Sequence, residues 1–485
     1  MTTFLISLAL LIGGYFIYGK ITERVFGIES ARATPAVTMA DGVDYVPLPT
    51  WKVFLIQFLN IAGMGPIFGA IMGIMFGPAA FLWIVFGTIF AGAVHDFTSA
   101  MISLRRGGQS LPEMTGDILG NGVKQVMRVF TLALLVLLGA VFVLTPSAVI
   151  ARMTPDWVDI TFIAALIFIY YLLATMLPID KLIGRIYPVF GAALLFMGIG
   201  LLGYMIFSGV EIPDGMAEGL YNRRADAAMG SHPIFPMLCI TIACGAISGF
   251  HATQSPMMAK CLKNERLARP IFYGAMVTEG VIALIWAAAA IAFTGGYEGL
   301  SDYMAVKGNS QGSLVTDISY GWLGPIGGAL AIIGVVAAPI STGYTALRSA
   351  RLILSEVFNI PQKKFRNRLM ICLPLFVLTF ILMLVDFDVL WRYFAWCNQT
   401  LATFTLWACT VWLARHGKFY YLTLLPALFM QFVVTSYILL APGTEGFGLD
   451  HTISYGVAFI GCAFTLGLFA RNVYQRNLNG LPERT

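Results

Sequence analysis

Of the 485 residues, 58% are hydrophobic and only 11% charged, with a mean hydropathy of +0.80, where a soluble domain carries about 25% charged residues. So few charges cannot cover a water-facing surface, which excludes a soluble enzyme, a disordered scaffold and a secreted disulfide module. The net charge of +5 is no nucleic-acid signal, because membrane proteins gather Lys and Arg in their cytoplasmic loops.

A helix needs about 20 apolar residues to cross roughly 30 Å of hydrocarbon. Thirteen stretches qualify: 2–19, 51–76, 79–104, 125–147, 157–177, 188–208, 235–259, 271–294, 322–346, 367–385, 389–413, 418–441 and 453–471. The first has no basic residue before it and no small-x-small cleavage pattern, so it reads as a retained helix rather than a signal peptide. Ser110-Leu111-Pro112-Glu113 reads as a capping box opening a cytoplasmic amphipathic piece. The external segments 209–234 and 295–321 are long enough for a gate or a short surface helix. Seven cysteines without C-x-x-C or Cys/His zinc spacing read as reduced packing residues.

The basic residues test the count. On one set of alternate loops fall 25 of the 30, including Arg105, Arg106, Lys124, Arg128, Lys181, Lys260, Lys363 and Arg484, while Arg152, Arg223, Arg224, Lys307 and Arg392 take the other. This alternation predicts an all-α integral membrane protein of thirteen spans, N-terminus outside and C-terminus inside.

Two spans carry breaks. The second contains Asn60-Ile61-Ala62-Gly63-Met64-Gly65-Pro66, where Pro66 removes a donor from the Ala62 carbonyl and the glycines permit unwinding. The seventh contains Gly245-Ala246-Ile247-Ser248-Gly249-Phe250-His251-Ala252-Thr253-Gln254-Ser255-Pro256, polar and interrupted at mid-membrane. Irregular backbone at that depth survives only in a cavity or buried in protein, and paired breaks point to a transporter site. Spans 2–6 and 7–11 then form two sets of five, the second inverted, as in the leucine-transporter fold. The chain divides into an N-terminal helix and loop (1–50), a first repeat (51–208), a second repeat (235–413) and two added C-terminal helices (414–485). Helix ends freed at the breaks suit a substrate carboxylate and a cation.

Asn60, Gly63, Gly65, Ser248, Gly249, His251 and Thr253 are the first substrate candidates, with Met64 and Phe250 as apolar walls. Asn398, Gln399 and Thr403 could add polar contacts, or Asn398 and Gln399 could instead bond helices together. His95, Asp96 and Glu279 lie inside spans, where ionisable groups mark ion or proton paths, and His251 could join them. By analogy with the leucine-transporter fold, Ser341 and Thr342 could form a sodium site with the backbone at Ala62 and Gly63, or their hydroxyls could instead bond their own helix carbonyls; a proton carried by an Asp or His is the rival coupling ion.

Several motifs in chain order resemble the carbon starvation protein A family. They are Gly42-Val43-Asp44-Tyr45-Val46-Pro47, Ala62-Gly63-Met64-Gly65-Pro66, Ala91-Gly92-Ala93-Val94-His95-Asp96-Phe97, Arg105-Arg106-Gly107-Gly108-Gln109-Ser110-Leu111, Ser248-Gly249-Phe250-His251-Ala252, Tyr273-Gly274-Ala275-Met276, Thr345-Ala346-Leu347-Arg348-Ser349-Ala350-Arg351 and Asn398-Gln399-Thr400-Leu401-Ala402. Tyr344 departs from the pattern, standing where an acidic residue is expected. The resemblance implies a bacterial inner-membrane nutrient transporter of the amino acid, polyamine and organocation superfamily, taking up peptides during carbon starvation or pyruvate with protons. The expected partners are such a solute, H+ or Na+, and the bilayer, with no cofactor beyond the candidate Na+. A membrane redox protein with haem between His95 and His251, and a transport-like nutrient sensor, are the alternative readings. A primary pump is disfavoured by the lack of a Walker-type loop.

Overall fold

The computed structural model describes every residue except 41–44, 156, 177–182, 218, 225–231, 308–309, 362–363, 444 and 480–485. Gly42 to Asp44 of the first family motif, and the basic residues Lys181, Lys363 and Arg484, lie outside the described residues. Among the described residues all regular structure is helical. In chain order come α1 (Thr2–Phe26), α2 (Pro35–Thr38), α3 (Thr50–Ala62), α4 (Gly65–Ile74), and α5 (Ala79–Phe86), which runs through a π turn into α6 (Ala93–Arg105). Then follow α7 (Leu111–Leu119), α8 (Asn121–Met153), α9 (Ile160–Met176), α10 (Ile183–Phe207), α11 (Ile234–Thr241), α12 (His251–Ala259), α13 (Gly274–Phe293), α14 (Tyr297–Val306), and α15 (Gln311–Ala331), which runs into α16 (Ala338–Val357). The last four are α17 (Phe365–Leu382), α18 (Phe387–Arg415), α19 (Tyr421–Leu440) and α20 (His451–Asn479).

Helices occupy all thirteen expected stretches, but only eight among the described residues are long and apolar enough to cross a membrane, or ten if each bent pair is one span. The shortfall has local causes. α9 is a shorter apolar helix, α18 carries polar residues such as Arg392, Asn398, Gln399 and Thr403 in its length, and α11 and α12 are eight and nine residues long. The expected span 322–346 is instead the middle of a bent pair, Gln311–Leu330 and Ile333–Val357, meeting at 52°. The segment 295–321 contains the short helix α14, which buries Tyr297, Leu300 and Met304.

Burial separates centre from rim. In Ala79–Arg105 and in Glu265–Phe293, 78% of the apolar window is buried, against 28% in α1 and 17% in α20. Exposed Phe16 and Ile17 on α1, and Phe459, Ile460 and Phe464 on α20, are side chains that lipid would solvate. The loops also sort by end. At one end the Met1 ammonium meets the Ile212 carbonyl and Thr3 meets Asp214, while Glu445 pairs with Arg392 and His232. At the other end gather Arg32, Arg105, Lys418 and Glu265, and also Lys124, Arg128 and Glu113.

Glu265 organises this basic end. Its fully buried carboxylate accepts from Arg105 Nε at 3.0 Å, from Arg105 Nη2 at 2.9 Å and from the Glu29 amide at 2.8 Å. Arg105 also reaches the Gly27 carbonyl and covers the Phe26 ring. α1, α6 and the loop before α13 are thereby tied together. Breaking a buried pair by removing one partner costs about 3–5 kcal/mol. Glu265→Ala should therefore lower the thermal unfolding midpoint in detergent by several degrees, and an unchanged midpoint would show that the clamp contributes no stability.

The capping box is not formed. Ser110 is the residue before α7 but its side chain makes no cap hydrogen bond. Glu113 turns instead to Lys124 and Arg128 on α8, the latter at 2.8 Å, because two cations outbid one neutral amide. Partial burial raises the Glu113 pKa, but these two hydrogen bonds outweigh it and hold the carboxyl below its usual range.

Candidate functional site

The site begins at the two breaks. Between α3 and α4 Gly63 takes φ +45°, ψ −130°, a left-handed conformation that costs a side-chain-bearing residue heavily. Pro66 lies in the first turn of α4, where no amide is required of it, and the two halves bend by 44°. Between α11 and α12 the chain from Ile242 to Phe250 is non-helical. The break is shorter than the sequence suggests: His251 to Pro256 belong to α12, which accommodates Pro256 internally.

The two breaks touch. A Cβ built on Gly65 would lie 2.2 Å from the Cys244 Cβ, and one on Gly245 would lie 3.7 Å from the Pro66 Cα. Neighbours replace the hydrogen bonds lost to unwinding, as buried backbone requires. Thr88 donates to the Gly245 carbonyl and Trp83 to the Ile242 carbonyl, both at 3.0 Å. Asn398 on α18 clamps the far side: its Oδ1 accepts from the Phe250 amide at 2.7 Å, its carbonyl accepts from the Gly249 amide at 3.1 Å, and its Nδ2 reaches the Ser248 hydroxyl at 3.0 Å. Gln399 donates to the Cys239 carbonyl at 3.1 Å. Of the two roles open to Asn398 and Gln399, the geometry displays the one that bonds helices together, and Thr403 returns its hydroxyl to the Gln399 carbonyl.

Beside the break four ionisable side chains form one buried chain. α6 presents His95 and Asp96, α12 begins with His251, and α13 supplies Glu279, all fully buried. Asp96 Oδ1 lies 2.7 Å from His95 Nδ1 and Oδ2 lies 2.8 Å from His251 Nδ1. His251 Nε2 faces Glu279 Oε2 at 3.4 Å. With each Nδ1–H donating to Asp96, His251 Nε2 is a lone pair. It then confronts a carboxylate whose two oxygens have no hydrogen-bond donor. Two acceptors face to face in low dielectric repel unless a cation or proton lies between them. Both imidazoles turn Nδ1 to the one Asp96 carboxylate, an arrangement that argues against haem held between them.

Other candidates fall around this centre. Asn60 is buried with its Oδ1 unpartnered, and Met64 and Phe250 are buried apolar residues flanking the breaks. Thr253 returns its hydroxyl to Phe250 and lines a cavity of about 570 Å³ at the basic end, together with Arg106, Lys124, Arg128, Lys260 and Glu356. For the candidate sodium set, α3 and α16 are in contact; the Ser341 hydroxyl bonds the Ala338 carbonyl at 2.7 Å, while the buried Thr342 hydroxyl has no hydrogen-bond partner. Cys244 was missed as a site residue. Its sulfur, His251 and Glu279 present ligand atoms all within 4.8 Å of one another, and its position one residue before the interrupted run was the available signal.

A helical membrane bundle with paired, touching breaks and a buried ionisable cluster beside them has the architecture of the leucine-transporter-fold transporters. Solved structures agree on the fold. MhsT in complex with L-phenylalanine aligns with a TM-score of 0.54 at 15% identity, covering 84% of this chain and 98% of that one. A manganese transporter from Eremococcus coleocola aligns with a TM-score of 0.53 at 13% identity, covering 90% and 98%.

The chain belongs to the carbon starvation protein CstA family, whose model matches residues 1–162 and 157–322. An uncharacterized membrane protein of Haemophilus influenzae is 44% identical over 347 residues, 62% of this chain and 94% of its own. The pyruvate/proton symporter BtsT of Escherichia coli is 31% identical over 330 residues, 56% of this chain and 46% of its own. A peptide transporter CstA of Helicobacter pylori is 31% identical over 338 residues, 56% of this chain and 48% of its own. The matches thus span about half the length of these two transporters.

Proposed function

We propose that this chain imports a small carboxylate-bearing nutrient, pyruvate or a peptide, by proton-coupled alternating access across the bacterial inner membrane. One observation carries the choice of proton: His251 Nε2 and the donorless Glu279 carboxylate face each other at 3.4 Å in a fully buried setting. A proton shared there is lost when the pair separates, and the pair straddles α12 and α13, so motion of the broken helix against α13 couples proton release to the change of access. Asp96 holds the imidazole by its other nitrogen, and His95 steadies Asp96. The substrate sits at the meeting of the breaks, where Asn60, Gly63, Met64 and Gly65 approach Ser248 to His251, and it enters or leaves the cytoplasm past Thr253. Names of relatives that carry pyruvate with protons, or peptides, support the solute class.

In this account there are thirteen spans, with the bent pair Gln311–Leu330 and Ile333–Val357 crossing in place of 322–346, the N-terminus outside and the C-terminus inside. Residues 51–208 and 235–413 are the inverted repeats, 1–50 and 414–485 being additions. Sodium coupling through Ala62, Gly63, Ser341 and Thr342 is disfavoured by the engagement of Ser341 with its own helix. The test is uptake of labelled pyruvate and of a labelled dipeptide into proteoliposomes under separately imposed proton and sodium gradients. Concentrative uptake of either under an inward proton gradient alone is expected; uptake that requires sodium, or none of either solute, would contradict it.

A further inference from the structure

The chemistry of the cluster reaches beyond a proton. We propose that Cys244, His251 and Glu279 form a binding site for a divalent transition-metal cation of the zinc class, and that a metal held there arrests the transport cycle. The inference rests on the same cluster as the proposed proton step, but its test reads ligation directly and so fails independently of it.

Three features argue for it. The donor set is one sulfur, one imidazole nitrogen and one carboxylate, the mixture borderline cations select, with three protein ligands leaving a fourth position open. Zinc bonds of about 2.0–2.3 Å imply ligand-to-ligand edges of roughly 3.5 Å. His251 Nε2 and Glu279 Oε2 already stand 3.4 Å apart, and all three ligand atoms lie within 4.8 Å. The adjustment falls on Cys244, which sits in the non-helical stretch rather than on a rigid helix.

The surroundings are set for metal as well. His251 Nδ1 is held by Asp96 at 2.8 Å, the carboxylate–histidine arrangement that orients a ligating imidazole and fixes its tautomer. The Asn398 amide points at the Cys244 sulfur at 3.6 Å, an outer contact that orients the sulfur. Finally, His251 Nε2 and both Glu279 oxygens are buried without hydrogen-bond partners, which is costly unless something positive joins them. On ligation the Cys244 thiol gives its proton to solvent, and the metal ties the break to α13 while occupying the lone pairs the coupling proton would use.

Cobalt(II), added to the full-length protein in detergent, is the probe. One equivalent should bind with the thiolate-to-cobalt charge-transfer absorption and strong visible bands of a low-coordinate site, and zinc should displace it. Cys244→Ser should abolish the charge-transfer band, and Asp96→Asn, acting through His251, should weaken binding about 10- to 100-fold. Zinc should inhibit uptake by the wild type and lose potency against Cys244→Ser. Absence of the charge-transfer band in the wild type, or its survival in Cys244→Ser, would overturn the assignment.

Discussion

Gly249→Ala and Gly65→Ala are expected to lower uptake by about 5- to 150-fold, the range that follows from strain of about 1–3 kcal/mol placed on one state of the cycle. At Gly249 a Cβ would lie 2.4 Å from both the Ala402 nitrogen and the Asn398 oxygen, backbone atoms that cannot rotate away. At Gly65 it would lie 2.2 Å from the Cys244 Cβ and 2.5 Å from its sulfur. A single methyl thus wedges apart contacts that hold the broken helices to each other and to α18. Gly203→Ala is the control, since nothing lies within 4 Å of its added Cβ. Initial uptake rates at matched protein density check the expectation. Rates equal to the control in both variants would reject the meeting of the breaks as the site.

Glu279→Gln should abolish concentrative uptake while leaving counterflow exchange. A one-to-one proton symporter gains about 1.4 kcal/mol, or tenfold accumulation, for each pH unit across the membrane. The amide of glutamine can donate to His251 Nε2 permanently, which satisfies the lone pair without a titrating proton, so the accumulation ratio should fall to unity. Loading liposomes with unlabelled solute and following labelled entry separates the two activities. An intact accumulation ratio in Glu279→Gln would move the coupling role to another group, and loss of counterflow would make Glu279 a structural residue.

What could be read from the sequence was the local chemistry. Gly63 and Pro66 carry their own reasons for unwinding, so the first break was legible, and Asp96, Glu279 and His251 were each conspicuous as ionisable groups in apolar surroundings. Their union was not, because Asp96 and His251 are 155 residues apart and only packing of α12 against α6 joins them. Cys244 looked like any buried thiol until the non-helical turn folded it back toward His251. Glu113 satisfied the spacing of a capping box, but charges from α8, unseen in that motif, took it. Pro256 reads as a further interruption from its own chemistry alone, whereas in the folded chain it lies inside α12.

The most direct measurement follows lumenal pH in proteoliposomes with an entrapped indicator, with no gradient imposed, on external addition of pyruvate or a dipeptide. The account predicts acidification driven by the transported solute in the wild type, unaffected by sodium and absent in Glu279→Gln. Solute entry without acidification, or acidification that persists in Glu279→Gln, would contradict proton coupling through the His251–Glu279 pair.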